Sequence, residues 1–259
     1  MHKRIGSLVF ALLLVLPGLA AAAGEVALKK ANSYVSYYRG YWHNGRFEVE
    51  VANLGYQKQV AAYIKQANGT WADFPLSYVR GSGANKEIWA ADFSSYSLPD
   101  SVGNTIEFAV KYSVNGTTFW DNNGGANYKL GKGAGSLLGN GVNVYGANYS
   151  AEIYAGAGVT TWSGYVTVRN LAYAKDVKLV YSTDNWATSS TAVATFSKDF
   201  WSSSYYSIGN PNTMGFEEWR YQLNIGNASQ VEYAISYTVN GVTYWDNNNG
   251  RNYFSRILR

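Results

Sequence analysis

The chain has 259 residues, no cysteine and a formal net charge of only +4. This excludes a disulfide framework, and so small and scattered a charge argues against a nucleic-acid partner. Aromatic residues are abundant instead: 23 Tyr, 9 Trp and 10 Phe outnumber the charged residues, a mixture suited to half-buried strands and ring-bearing surfaces.

In chain order, Lys3 and Arg4 precede an apolar run from Ile5 to Leu16, then Pro17, Gly18 and the small residues Ala20 to Ala23. Residues 1–23 therefore read as a secretory signal peptide, cut near Ala22 or Ala23, and the mature protein is expected to be secreted, in a periplasm or outside the cell. No second long apolar run follows, so membrane insertion is not expected.

The rest of the chain is written twice. "VEVANLGYQKQV" (49–60) aligns with "VTVRNLAYAKDV" (166–177), and "IEFAVKYSVNGTTFWDNNGGANY" (106–128) with "VEYAISYTVNGVTYWDNNNGRNY" (231–253). Each copy has the size of an independent domain rather than of a solenoid repeat. The predicted modules are residues 24–130 and 142–259, joined by a Gly-rich segment, 131–141, read as a flexible linker.

Within a copy, the spacing is that of strands. Phe47, Val49 and Val51 alternate with other residues, as do Ile106, Phe108, Val110, Tyr112 and Val114, and again Val231, Tyr233, Ile235, Tyr237 and Val239. No stretch after the leader keeps helical spacing. The predicted fold is all-β, two tandem antiparallel β-sandwiches.

Asn115-Gly116 and Asn240-Gly241 fit two-residue hairpin turns, because both turn positions need positive φ. That register sets Tyr112 opposite Phe119 on the buried side, so Trp120 points outward; by the same parity Trp245 does too. Each indole is followed at once by an amide-rich loop, Asp121, Asn122 and Asn123 in one copy and Asp246, Asn247 and Asn248 in the other. An exposed flat ring can stack on the C–H face of a pyranose, and an amide supplies donor and acceptor to adjacent hydroxyls. A neutral polyol needs no charged clamp. The alternative is that the indoles are covered by their own domains and the Asp and Asn residues only cap a turn.

At these phrases the sequence resembles carbohydrate-binding module family 21, the starch- and glycogen-binding modules. The resemblance covers almost all of each copy, through "NLGYQK" and "NLAYAK", the strand before Asn-Gly, and "WDNNGGANY" and "WDNNNGRNY". It implies immunoglobulin-like β-sandwiches, α-1,4-glucan polysaccharides (starch, glycogen, maltooligosaccharides) as ligands, and up to two sugar sites per module. One site would use Trp71 with Trp120 and Trp186 with Trp245, with Asn122, Asn123 and Asn127, and Asn247, Asn248 and Asn252, bonding the sugar or holding the loop. A second would centre on Tyr56 with Lys58 and Tyr173 with Lys175, with Tyr78 and Phe196 the nearest candidates for a further ring. Some members carry a third stacking tyrosine where this chain has Ala109 and Ala234. Trp89 and Trp219 are assigned to the core, and Tyr128 and Tyr253 are expected to pack back on their domains.

The expected protein is not an enzyme. Its recurring carboxylates, Glu107 with Glu232 and Asp121 with Asp246, show no convergent pair of the kind glycoside hydrolysis needs, and His43 has no counterpart in the second copy. "DNNGGANYKLGK" lacks the closing Glu of a calcium loop, so neither metal nor cofactor is expected. A leader and the lack of a basic-Val-x-Phe phrase argue against phosphatase docking. A secreted amylolytic enzyme is the candidate protein partner, and an envelope adhesion protein using the same sandwiches for protein contacts, or for a different polysaccharide, is the alternative function.

Overall fold

The Asn-Gly pairs adopt the turns their sequence predicts, with φ of 51° and 76° at Asn115 and Gly116 and of 51° and 74° at Asn240 and Gly241. The strands they join pair in the expected register, Tyr112 with Phe119 and Tyr237 with Tyr244. The computed structural model describes residues 24–94, 98, 104–146, 151–156 and 159–256; the predicted leader lies outside them. Among the described residues all regular structure is strand, apart from one 3₁₀ turn at Asn123–Gly125.

The first half contains β1 (Val26–Tyr37), β2 (Tyr41–Ala52), β3 (Lys58–Lys65), β4 (Trp71–Ser82), β5 (Lys86–Ser94), β6 (Thr105–Val114), β7 (Thr117–Asp121), β8 (Tyr128–Gly131) and β9 (Gly135–Leu138). They form one curled antiparallel sheet in the order β7-β6-β3-β4-β5-β2-β1-β9, with β8 also on β6. Strand β4 closes the sandwich. Its first part pairs with β3, its second with β5, and a register shift between Tyr78 and Arg80 lets it turn from one layer to the other. The inward faces meet at Phe47, whose ring lies 5.0 Å from Phe93 and 4.9 Å from Phe108.

The second half repeats this plan. Its strands are β10 (Val144–Tyr145), β11 (Ala151–Gly156), β12 (Val159–Arg169), β13 (Lys175–Ser182), β14 (Ser190–Val193), β15 (Thr195–Phe196), β16 (Asp199–Ser202), β17 (Ser207–Gly209), β18 (Phe216–Asn224), β19 (Gln230–Val239), β20 (Val242–Asp246) and β21 (Tyr253–Arg256). One layer runs β10-β12-β18-β15 with β11 on β12, the other β14-β13-β19-β20 with β21 on β19. Here the crossing strand is split into β14 and β15. Trp162 fills the core, within 5.3 Å of Tyr181, Tyr221 and Tyr233.

The segment expected as a flexible linker is built into the fold. Gly135–Leu138 pairs with β1 and is buried, and the turn after it is tied to the second half by Arg169, which donates 2.9 Å to the Gly139 carbonyl. Glycine content suggested looseness, but Leu137 and Leu138 enter the first core, and burial of apolar side chains dominates. The hairpin β16–β17, which has no counterpart among the described residues of the first half, also packs on that core through Phe200 and Ile208. The halves are therefore docked on one another.

Polar groups are buried along the contact. Lys30 Nζ donates 3.0 Å to Thr167 Oγ1, and Tyr145 donates from its hydroxyl to Glu48. Burial raises the Glu218 carboxyl to about 7, partly offset by Lys30 and then Arg220. Between its unfolded value near 4.5 and 7 the folded protein holds a proton that the unfolded chain releases. The stability this confers is complete below pH 4.5 and lost as pH rises through 7, on the order of 3 kcal/mol. Burial shifts Asp246 in the same direction. Burial lowers Lys30, which acts in the opposite sense as pH rises towards its ordinary 10.5. Calorimetry is expected to give a higher Tm at pH 5 than at pH 7.5, and Glu218→Gln to flatten that difference.

Candidate functional site: two aromatic platforms

Across the outward face of β7, β6, β3 and β4, Trp71 and Trp120 are brought together by a residue that the repeat does not single out. Tyr63 stacks on Trp71 at 5.3 Å and 22°, and meets Trp120 edge-on at 5.4 Å. Trp120 is 47% exposed. Tyr63 is the cross-strand neighbour of Ala109, so the small side chain there leaves room for a ring supplied from the next strand. Lys111 lies 5.3 Å from the Tyr63 ring and 5.9 Å from that of Trp120, and is paired with Asp73. The result is a platform of three braced rings with one cation at its edge.

The adjoining loop is held by its own amides. Asn122 Oδ1 accepts from Gly125 N at 2.9 Å, Asn123 Nδ2 donates to the Asn127 carbonyl at 3.0 Å, and Asn127 Nδ2 donates to Glu107 at 3.0 Å. Asn123 and Asn127 have φ of 55° and 54°, a region asparagine tolerates better than most residues. Asp121 accepts from the Tyr128 hydroxyl and from the backbone N–H of Leu28, tying the loop to β1. These bonds favour the loop-holding role for Asp121, Asn123 and Asn127; Asn122 is exposed, and among the described residues its side-chain N–H groups have no protein partner.

The second copy differs in two ways. Trp245 is 56% exposed, but the position of Tyr63 is taken by Val180, and Trp186 sits in a turn with φ of 64°, its indole N–H bonded to Glu232. Among the described residues no ring bridges its two indoles. Its amide loop is also docked on the first half: Arg80 donates 2.7 Å to Asn248 Oδ1, Asn249 Nδ2 donates 2.6 Å to Glu50, and Gly83 N donates 3.1 Å to the Asn248 carbonyl. A Cβ on Gly83 would stand 2.0 Å from the Asn249 carbonyl oxygen, so only glycine fits. Asn247 Oδ1 accepts from Gly250 N, and Asn248 Nδ2 donates to the Asn252 carbonyl, as in the first loop. Asp246 is buried, accepting from the Tyr253 hydroxyl and from Gly146 N.

A second surface recurs in both halves. Lys58 Nζ donates 2.6 Å to Asn53 and 2.9 Å to Glu87, whose other oxygen accepts from the Trp89 indole. Lys175, Asn170, Glu217 and Trp219 repeat this chain of bonds. Trp89 and Trp219, expected in the core, stand half-buried at its rim, meeting the exposed rings of Tyr78 and Phe196 edge-on at 6.1 and 5.8 Å. The glutamates explain the difference: an indole N–H with a fixed acceptor is held at the boundary. Tyr56 and Tyr173 are fully exposed. Both lysines are enclosed and ion-paired, which is the geometry of a structural bond.

The chain matches the carbohydrate/starch-binding module (family 21) over residues 33–131 and again over 151–255. It belongs to that family. It is 37% identical to protein phosphatase 1 regulatory subunit 3B of Homo sapiens over 89 residues, covering 32% of this chain and 30% of that protein. It is 35% identical to glucoamylase 1 of Rhizopus oryzae over 97 residues, covering 36% of this chain and 14% of that one. The chain thus spans less than a third of the length of these two relatives. Among solved structures, the starch-binding domain of Rhizopus oryzae glucoamylase in complex with β-cyclodextrin and maltoheptaose is 29% identical, with a TM-score of 0.27, covering 42% of this chain and 93% of that one.

Each family 21 copy therefore presents two ring-bearing surfaces, one around the outward indole and one around the rim indole. Among the described residues no cluster of three or more His, Asp or Glu is arranged to hold a metal ion. No helix there is long and apolar enough to cross a membrane.

Proposed function

We propose that this family 21 chain is a secreted, non-catalytic binder of starch- and glycogen-type α-glucans, acting through tandem modules beside a secreted amylolytic enzyme. The observation that carries this reading is the braced platform Trp71–Tyr63–Trp120, whose rings are fixed before any ligand arrives. Ordering cost is thereby removed from binding. Rings supply the apolar face, and Asn122 and the Asp73-paired Lys111 the polar edge. Family membership supports a carbohydrate ligand, and the leader-like first 23 residues support export.

A few stacked rings per module support a Kd of roughly 10 to 200 μM, and two modules on one granule raise retention further. Because the halves are docked rather than tethered, the distance between platforms is fixed, so the gain should depend on the spacing of the glucan chains. Retention on insoluble starch is expected to fall in Trp120→Ala, less in Trp245→Ala, and most in the double variant. Undiminished retention of the double variant would refute the stacking role.

A further inference from the structure

A third cluster of exposed rings lies away from both surfaces, where the two halves meet. The β1–β2 hairpin turns at Tyr38–Gly40, and Tyr37 and Tyr41 face each other across it, their rings edge-on at 5.3 Å. Tyr205, from the turn between β16 and β17 in the second half, lies 4.9 Å from Tyr37 at 32°. All three are at least half exposed. The second-half turn is anchored: Tyr206 donates its hydroxyl to the Gly133 carbonyl, Trp201 packs 5.7 Å from Tyr34, and Ser203 Oγ accepts from the Tyr206 N–H at 3.2 Å.

Three features point to a neutral polysaccharide. The rings are held against one another before binding, as on the Trp71–Trp120 platform, so stacking costs little ordering. Among the described residues the hydroxyls of Tyr37, Tyr41 and Tyr205 have no protein partner, so each ring brings a donor and acceptor to the edge of its face. The turn itself contributes a single charge, Arg39, which lies over the neighbouring Tyr38 ring at 5.6 Å.

We propose that Tyr37, Tyr41 and Tyr205 form a third glucan-stacking surface, assembled from both halves and incomplete in either alone. It rests on the reading that the chain binds α-glucans, and extends it: the insertion β16–β17 and the fixed docking of the halves both serve to complete this surface.

The test uses the full mature chain labelled with 3-fluorotyrosine, its resonances assigned by single Tyr→Phe variants, titrated with maltoheptaose and followed by ¹⁹F NMR. The resonances of Tyr37, Tyr41 and Tyr205 are expected to move saturably, and to do so also in the Trp71→Ala/Trp120→Ala/Trp186→Ala/Trp245→Ala variant. The triple variant Tyr37→Ala/Tyr41→Ala/Tyr205→Ala should bind granular starch about tenfold more weakly with an unchanged Tm. If other tyrosines respond while these three stay still, the third surface is overturned and the α-glucan reading stands. If no tyrosine responds and wild type is not retained on starch, the α-glucan reading fails and this one with it.

Discussion

Trp71→Ala together with Trp120→Ala is expected to erase maltoheptaose binding at the first half's platform, and Trp120→Ala alone to weaken it about thirtyfold. The estimate follows from truncating one desolvated indole, on the order of 2 kcal/mol. Isothermal titration on a Trp186→Ala/Trp245→Ala/Tyr37→Ala/Tyr41→Ala/Tyr205→Ala background removes the second half's indoles and the tyrosine cluster, so that the loss reads on this platform. Tyr63→Ala should cost about fivefold, although the two indoles remain, because they lose the ring that sets their spacing; Tyr63→Phe should cost little, since stacking needs the ring and not the hydroxyl. Equal affinity for Tyr63→Ala and wild type would remove Tyr63 from the site. Ala109→Tyr offers the converse check. It should crowd Tyr63, its cross-strand partner, and lower affinity rather than extend the platform.

Local chemistry was legible in the sequence and distant partnership was not. Asn115-Gly116 demanded positive φ, and from that one turn the parity of Tyr112, Phe119 and Trp120 followed without knowledge of any other strand. Asp121 and Asp246 sit in equally conspicuous phrases with their near partners Tyr128 and Tyr253, yet the groups that tie them to the rest of the fold, Leu28 N and Gly146 N, lie 93 and 100 residues away. Tyr63 has Val180 as its counterpart in the second copy, so the repeat that marks the two indoles does not mark the ring between them. An alternating strand pattern places Trp89 on a face but does not reveal that Glu87 holds its N–H at the rim. Composition misled at residues 131–141, where four buried residues pair with β1 amid glycines that read as a spacer.

The same distinction between binding and holding decides what Lys175 does. Its side chain is 2% exposed and that of Glu217 6%, with Nζ 2.7 Å from Glu217 and 2.7 Å from Asn170. Removing one partner of so enclosed a pair leaves the other charge uncompensated, and Lys175→Met is expected to cost about 3–5 kcal/mol. For a chain of this size that corresponds to a fall in Tm of roughly 8–15 °C. A lysine serving mainly as a sugar donor would give the opposite pattern, with affinity lost and Tm kept. Here the folded fraction of Lys175→Met should bind maltoheptaose within about twofold of wild type, as the rings of Phe196 and Trp219 keep their edge-on contact. Adding Glu217→Gln should recover part of the lost Tm, because it removes the orphaned charge while leaving an acceptor for the Trp219 indole. Lys58→Met should follow the same course with a smaller fall, since its pair with Glu87 is the more exposed of the two, at 6% and 13%. A Tm unchanged by Lys175→Met, with weaker sugar binding, would return this lysine to the carbohydrate site.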